Sequence, residues 1–231
     1  MTDKLDYRKL VAEAVGTSAL IFMSAGSILV TGGANLVAIA FAYGLAVALL
    51  VSALGHVSGG LFNPALTIGL WVTRRLSTMD TVGYIVAQLV GAALAALLLV
   101  LLFPEVEREA QNLGTPALNA GVTFAQGVGI EIVLTVFLML AVFGTALDPR
   151  GPRIGGLGIG LVLTMGTLAA GPLTGAAMNP ARAFGPALLS GTWDDHLVYW
   201  IGPVIGAVLA ALLYHYVFQR DALEETSHPA L

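Results

Sequence analysis

Apolar residues run along this chain in six long stretches, at 10–30, 35–54, 81–103, 122–147, 154–170 and 197–218. Each approaches or exceeds the roughly 20 residues that a helix needs to cross a bilayer. Polar or Pro/Gly-bearing segments separate them. Two further apolar pieces, at 64–73 and 180–189, are too short to span. Each begins with a Pro that follows an Asn. Pro suits the first helical turn, where its missing N–H is not needed and its φ is preset. Asn is a good N-cap. The pattern predicts an all-α membrane protein with six transmembrane helices and two re-entrant half-helices starting at Asn63 and Asn179.

The two halves repeat. Asn63 and Asn179 lie 179 − 63 = 116 residues apart. Tyr84, Gly91 and Ala92 recur 115 residues later as Tyr199, Gly206 and Ala207, and Glu13 recurs 118 residues later as Glu131. One channel domain over 1–231 is expected, with repeat one at about 8–103 and repeat two at about 122–218. Three spans per half is an odd number, so the second half is inverted. Membrane folds of this kind place the solute site near the midplane, between the repeats, on discontinuous helices.

Charge sets the orientation. Lys4, Arg8, Lys9, Arg74, Arg75, Arg150, Arg153 and Arg220 all fall on one side of a six-span layout. The other side holds Arg108 among Glu105, Glu107 and Glu109, and the Asp194–Asp195 pair. The positive-inside rule then puts both termini in the cytoplasm of a multi-pass protein of the cell membrane. The first stretch is longer than a signal-peptide core, contains Glu13 and lacks an A-x-A site, so it reads as a retained span.

Composition removes several function classes. The chain is 57% hydrophobic and 10% charged, with mean hydropathy +0.87. Soluble domains carry about 25% charged residues. With no cysteine there is no disulfide, thiolate metal site or Cys nucleophile. No basic patch points to nucleic acid. His196, His215 and His228 are scattered, so no metal site and no cofactor are expected. Ser24, Ser27 and Ser52 have no evident His partner, and an enzyme is not expected.

The chemistry concentrates in two wider motifs, Ser58-Gly59-Gly60-Leu61-Phe62-Asn63-Pro64-Ala65 and Thr174-Gly175-Ala176-Ala177-Met178-Asn179-Pro180-Ala181. Non-helical backbone at membrane depth must be buried in protein or line a wet cavity. Half-helix N-termini carry partial positive charge. Two of them at the midplane repel cations and leave two Asn amides as donors to a solute oxygen, which interrupts a proton wire. The carbonyls before each Asn are candidates to face the solute file. Arg182, directly after the second motif, is a costly intramembrane charge. It reads as a pore-lining donor or as half of a structural pair, and no Asp or Glu is near it in sequence before Asp194. Glu13 and Glu131 read either as acceptors that scaffold the re-entrant loops or as proton-coupling groups of a carrier. His56 is a candidate pore-lining or gating residue, or a packed His. Gln88 has no acidic partner in its surroundings and reads as a helix-contact residue.

On these residues the chain resembles the major intrinsic protein family, the aquaporins and aquaglyceroporins. The likeness runs from Ala12-Glu13 through Gly202-Pro203. It implies an hourglass fold, a pore in each subunit for water and small neutral solutes, and a homotetramer in the lipid bilayer. It also implies a selectivity constriction at Tyr43, Thr167, Ala176 and Arg182. Water channels resemble a Phe, His, Cys or Thr, Arg set there, and glycerol channels a Trp, Gly, Phe, Arg set. Here Thr167 replaces a narrowing ring and Ala176 is small. Ala183, Ala187 and Tyr199-Trp200 are similar to the water-channel branch, whereas Leu61 stands where many bacterial water channels have His. The expectation is a passive water channel. Broader facilitation of glycerol, ammonia, hydrogen peroxide or a metalloid hydroxide is the alternative, and an ion-coupled transporter a more distant one.

Overall fold

A computed structural model describes residues 5–219. Lys4 and Arg220, assigned above to the basic side, and His228 lie outside the described residues. Six helices are long and apolar enough to cross a membrane. They are α1 (Tyr7–Thr31), α2 (Leu36–Ser58), α4 (Thr78–Leu102), α6 (Phe124–Val142), α7 (Gly155–Thr174) and α9 (Val198–Leu213). Two π-helical turns, Phe143–Leu147 and Tyr214–Phe218, extend α6 and α9. The half-helices are α3 (Pro64–Val72) and α8 (Pro180–Ser190), and α5 (Glu105–Ala110) is a short helix in a connecting loop.

The ends follow from local chemistry. Asn35 accepts from Ala38 N at 3.0 Å and starts α2. Thr123 and Gln126 form a reciprocal capping box at the start of α6. The spans expected at 35–54 and 154–170 both run four residues further. The reason is that α2 and α7 stop only where Gly59 (φ 95°) and Gly175 (φ 80°) adopt the left-handed conformation. That turn is cheap for glycine and carries the chain into each re-entrant loop.

Packing builds the inverted repeat. In the first half α1 lies against α2 and α4, and in the second α6 lies against α7 and α9. The halves join where α2 packs on α7. Each half-helix also crosses over: α3 packs on α9, and α8 packs on α4. Without a hydrophobic force between helices in lipid, small residues allow the close backbone approach that holds them together. The repeated glycines show this. A Cβ on Gly91 would overlap the Ala14 carbonyl, and one on Gly206 would overlap the Ile132 carbonyl. Because backbone cannot yield as a side-chain end can, Gly91→Val is expected to separate α4 from α1. The melting temperature of the detergent-purified protein should fall by several degrees, on the scale of an overpacking penalty of about 1–3 kcal/mol. A wild-type melting curve would exclude this packing.

Candidate functional site

The two half-helices meet N-terminus to N-terminus. Asn63 Oδ1 accepts from Ala65 N at 2.9 Å, and Asn179 Oδ1 accepts from Ala181 N at 2.9 Å. Each oxygen is therefore committed to capping its own helix. Each amide reaches across: Asn63 Nδ2 donates to Met178 O at 2.8 Å, and Asn179 Nδ2 donates to Phe62 O at 2.9 Å. An amide nitrogen has two hydrogens, so one N–H per Asn is spent on the opposite loop and one is left. The carbonyls directly before the Asn residues, those of Phe62 and Met178, thus each accept one bond of the crossed pair. Gly59, Gly60, Leu61 and Phe62 line the cavity beside Asn63.

The loops are held in an unusual conformation. Phe62 (φ 48°), Ala176 (φ 46°) and Met178 (φ 51°) are left-handed without being glycine. Two buried carboxyl groups supply the hydrogen bonds that keep them so. Glu13, from α1, accepts from Ser58 Oγ at 2.6 Å, Leu61 N at 3.1 Å and Phe62 N at 2.7 Å. Glu131, from α6, accepts from Thr174 Oγ1 at 2.7 Å, Ala177 N at 3.0 Å and Met178 N at 2.7 Å. Both are fully buried. The hydroxyls of Tyr84 and Tyr199 complete each set, donating to Ser58 O at 2.7 Å and Thr174 O at 2.8 Å.

A cavity of about 360 Å³ runs from Asn63 and Asn179 toward Arg75, Ala146 and Leu147. Its walls are mostly apolar, among them Leu66, Leu138 and Leu163. Tyr43 also lines it and donates from Oη to Ala177 O at 2.8 Å. Arg182, Thr167 and Ala176 are buried and are not part of these walls. Arg182 Nη1 and Thr167 Oγ1 make no hydrogen bond within the described protein. Sequence proximity offers Arg182 no acid, but the fold brings one from α6. Glu131 is near enough for its charge to act on Arg182. No ion pair forms to Arg182 among the described residues. His56 is exposed and lines a side pocket with Gly55 and Arg153. That pocket shares Gly59, Ala146 and Leu147 with the axial cavity, so His56 stands at the rim and not on the cavity wall.

The sequence pattern of the major intrinsic protein family matches residues 1–214. The chain belongs to the major intrinsic protein family. It is 45% identical over 232 residues to aquaporin TIP4-4 of Zea mays, covering 94% of this chain and 89% of that protein. It is 42% identical over 214 residues to aquaporin-2 of Bos taurus, covering 91% of this chain and 78% of the relative. The fold is shared with the aquaglyceroporin from Plasmodium falciparum, at a TM-score of 0.83 and 22% identity over 94% of this chain and 99% of that one. This is a family of channels, and the chain is a multi-pass membrane protein.

Within this family fold, one reading from the sequence needs correction. Gln88 is not merely a helix-contact residue. Its Nε2 donates to Glu13 Oε2 at 2.8 Å and to Thr67 Oγ1 at 3.0 Å, and Thr67 Oγ1 donates to Asn63 O at 2.9 Å. The acid it serves is 75 positions away in sequence, so no local signal pointed to it. The second half has Pro203 at 88 + 115 = 203, where Gln88 would recur. Tyr84 and Tyr199 were visible as a recurring pair, but the carbonyls they serve were not.

Proposed function

We propose that this chain is a passive water channel that excludes ions and protons, with its axis passing between Asn63 and Asn179. The crossed amide pair carries this reading. Each Asn has its oxygen locked into a helix cap and one N–H locked onto the opposite loop. What remains at the midplane is a pair of fixed donors backed by two positive helix ends. A water there accepts from both and cannot donate back to them, so its two hydrogens point outward along the file and donor–acceptor continuity is interrupted. A cation meets repulsion and no acceptor. The relatives named aquaporins support water as the solute.

Arg182 adds a fixed charge and a free donor, while Tyr43 and Thr167 set the width with Ala176. Glu13 and Glu131 act as scaffold for the loops. A homotetramer in the cell membrane, with both termini cytoplasmic, completes the proposal. A second reading, wider passage of small neutral solutes, draws on Thr167 and Ala176: a hydroxyl and a methyl stand at two of the four constriction positions, and neither is a ring.

Stopped-flow light scattering of proteoliposomes tests both. Shrinkage in an impermeant osmolyte reports water. Reswelling after glycerol, urea or hydrogen peroxide reports wider passage. Water permeability about tenfold or more above protein-free vesicles, with little reswelling, is the expected result. Vesicles no faster than lipid alone would end the channel reading, and rapid glycerol reswelling would replace it with the wider one.

A further inference from the structure

Arg75 stands where the axial cavity opens at the end away from the half-helix contact. It lines the same cavity that ends on Asn63 and Asn179, beside Leu76, Ala146 and Leu147. Two neutral groups hold its guanidinium. The carbon Cζ lies 4.9 Å from the centroid of the Phe143 ring, and Nη2 donates to Gln219 Oε1 at 2.5 Å. Gln219 is buried and follows the π turn that extends α9. Neither contact cancels the charge.

The acid in the neighbourhood is already committed. Asp148 takes Arg150 Nε on Oδ1 at 3.0 Å and Arg150 Nη2 on Oδ2 at 2.8 Å, and it also accepts from Tyr214 Oη at 3.2 Å. The Arg150 hydrogen bonds hold its carboxyl well below the usual carboxylate range. Arg75 has no ion pair among the described residues. A unit positive charge therefore lines a cavity with mostly apolar walls, where field lines are focused and local ion concentrations are set by the potential. The stacking and the hydrogen bond draw the guanidinium to the wall, so the charge is present without filling the bore.

Resting on the channel reading above, we propose that Arg75 is a second specificity-determining residue of the pore. It is a fixed cation at the mouth opposite Arg182, held aside by Phe143 and Gln219, and it discriminates by charge and not by width. Inorganic cations are depleted at this entrance, small anions are enriched, and neutral molecules pass without preference.

The natural chain has no cysteine, so a single introduced thiol reports the local potential without background. Ala146→Cys places it on the same exposed stretch of cavity wall. Its reaction rates with cationic, anionic and neutral methanethiosulfonates are compared with and without Arg75→Gln, and with Arg75→Lys. In Arg75→Gln the cationic-to-anionic rate ratio should rise about tenfold. Arg75→Lys should keep the ratio within about twofold of the parent, and the difference should shrink as salt rises toward 1 M because screening shortens the reach of the charge. An unchanged ratio in Arg75→Gln, a Lys variant that behaves like the Gln variant, or a thiol that no neutral reagent reaches would overturn the proposal. Water permeability of the same unmodified proteins is measured in parallel. Its absence would sink the channel reading while leaving the potential measurement valid.

Discussion

Glu131→Leu is expected to leave almost no folded channel. The substitution keeps a side chain of similar reach but removes every acceptor from the place where Thr174 Oγ1, Ala177 N and Met178 N converge. A buried donor left without a partner costs about 1–3 kcal/mol, and three of them together approach the whole stability of a domain, about 5–15 kcal/mol. The loss falls on a loop already holding Ala176 and Met178 at positive φ, a conformation that costs non-glycine residues. Purified yield and thermal unfolding in detergent are the measures. Glu131→Gln should lie between wild type and Leu. Its oxygen can still serve Thr174 and Ala177, while its amide group would face Met178 N donor to donor. A Glu131→Leu protein that melts like wild type and conducts water would show that the loop holds its own shape.

The second large effect is on selectivity. Arg182→Val should raise glycerol permeability about tenfold and water permeability by less than about twofold, since a factor of ten needs only about 1.4 kcal/mol at the narrowest point. Arg182 is buried, with one guanidinium nitrogen free of any partner in the described protein. Its removal therefore breaks no ion pair and should cost little stability; the change is in bore and charge. Reswelling rates in glycerol, together with proton flux followed by a trapped pH dye, would show it. If both stay at wild-type values, the constriction does not lie at Arg182.

Much of this architecture could be read from residue order alone, because the bilayer allows few solutions. A stretch such as 81–103 has to be a spanning helix, and α4 runs over Thr78–Leu102. Pro64 and Pro180 following Asn announced both half-helices, which begin at those prolines. Helix ends were less legible. The left-handed turns at Gly59 and Gly175 lie beyond polar residues that look like the edge of a span, whereas the stretches read at 122–147 and 197–218 stop on the same residues, Leu147 and Phe218, as the π turns that end those spans. Partnerships were least legible. Glu13 reads from the sequence as one possible acceptor for its re-entrant loop, but that Gln88 of α4 joins Ser58 and Phe62 around it appears only on folding. Likewise, that Arg75 and Gln219 meet across 144 positions follows from how α9 ends and not from any motif.

The crossed donation between Asn63 and Asn179 also dictates an order of assembly. The partners of the two amides lie 115 and 117 positions away in the chain. While the chain is being made, α1 through α4 can be in the bilayer before residue 178 exists. Until then the Phe62 carbonyl and the Asn63 amide have no protein partner at mid-depth, and hydrocarbon offers none. The centre of the molecule therefore cannot close before both halves are present. A chain stopped after its first half would hold the Phe62 carbonyl and the Asn63 amide without the partners that Asn179 and Met178 supply.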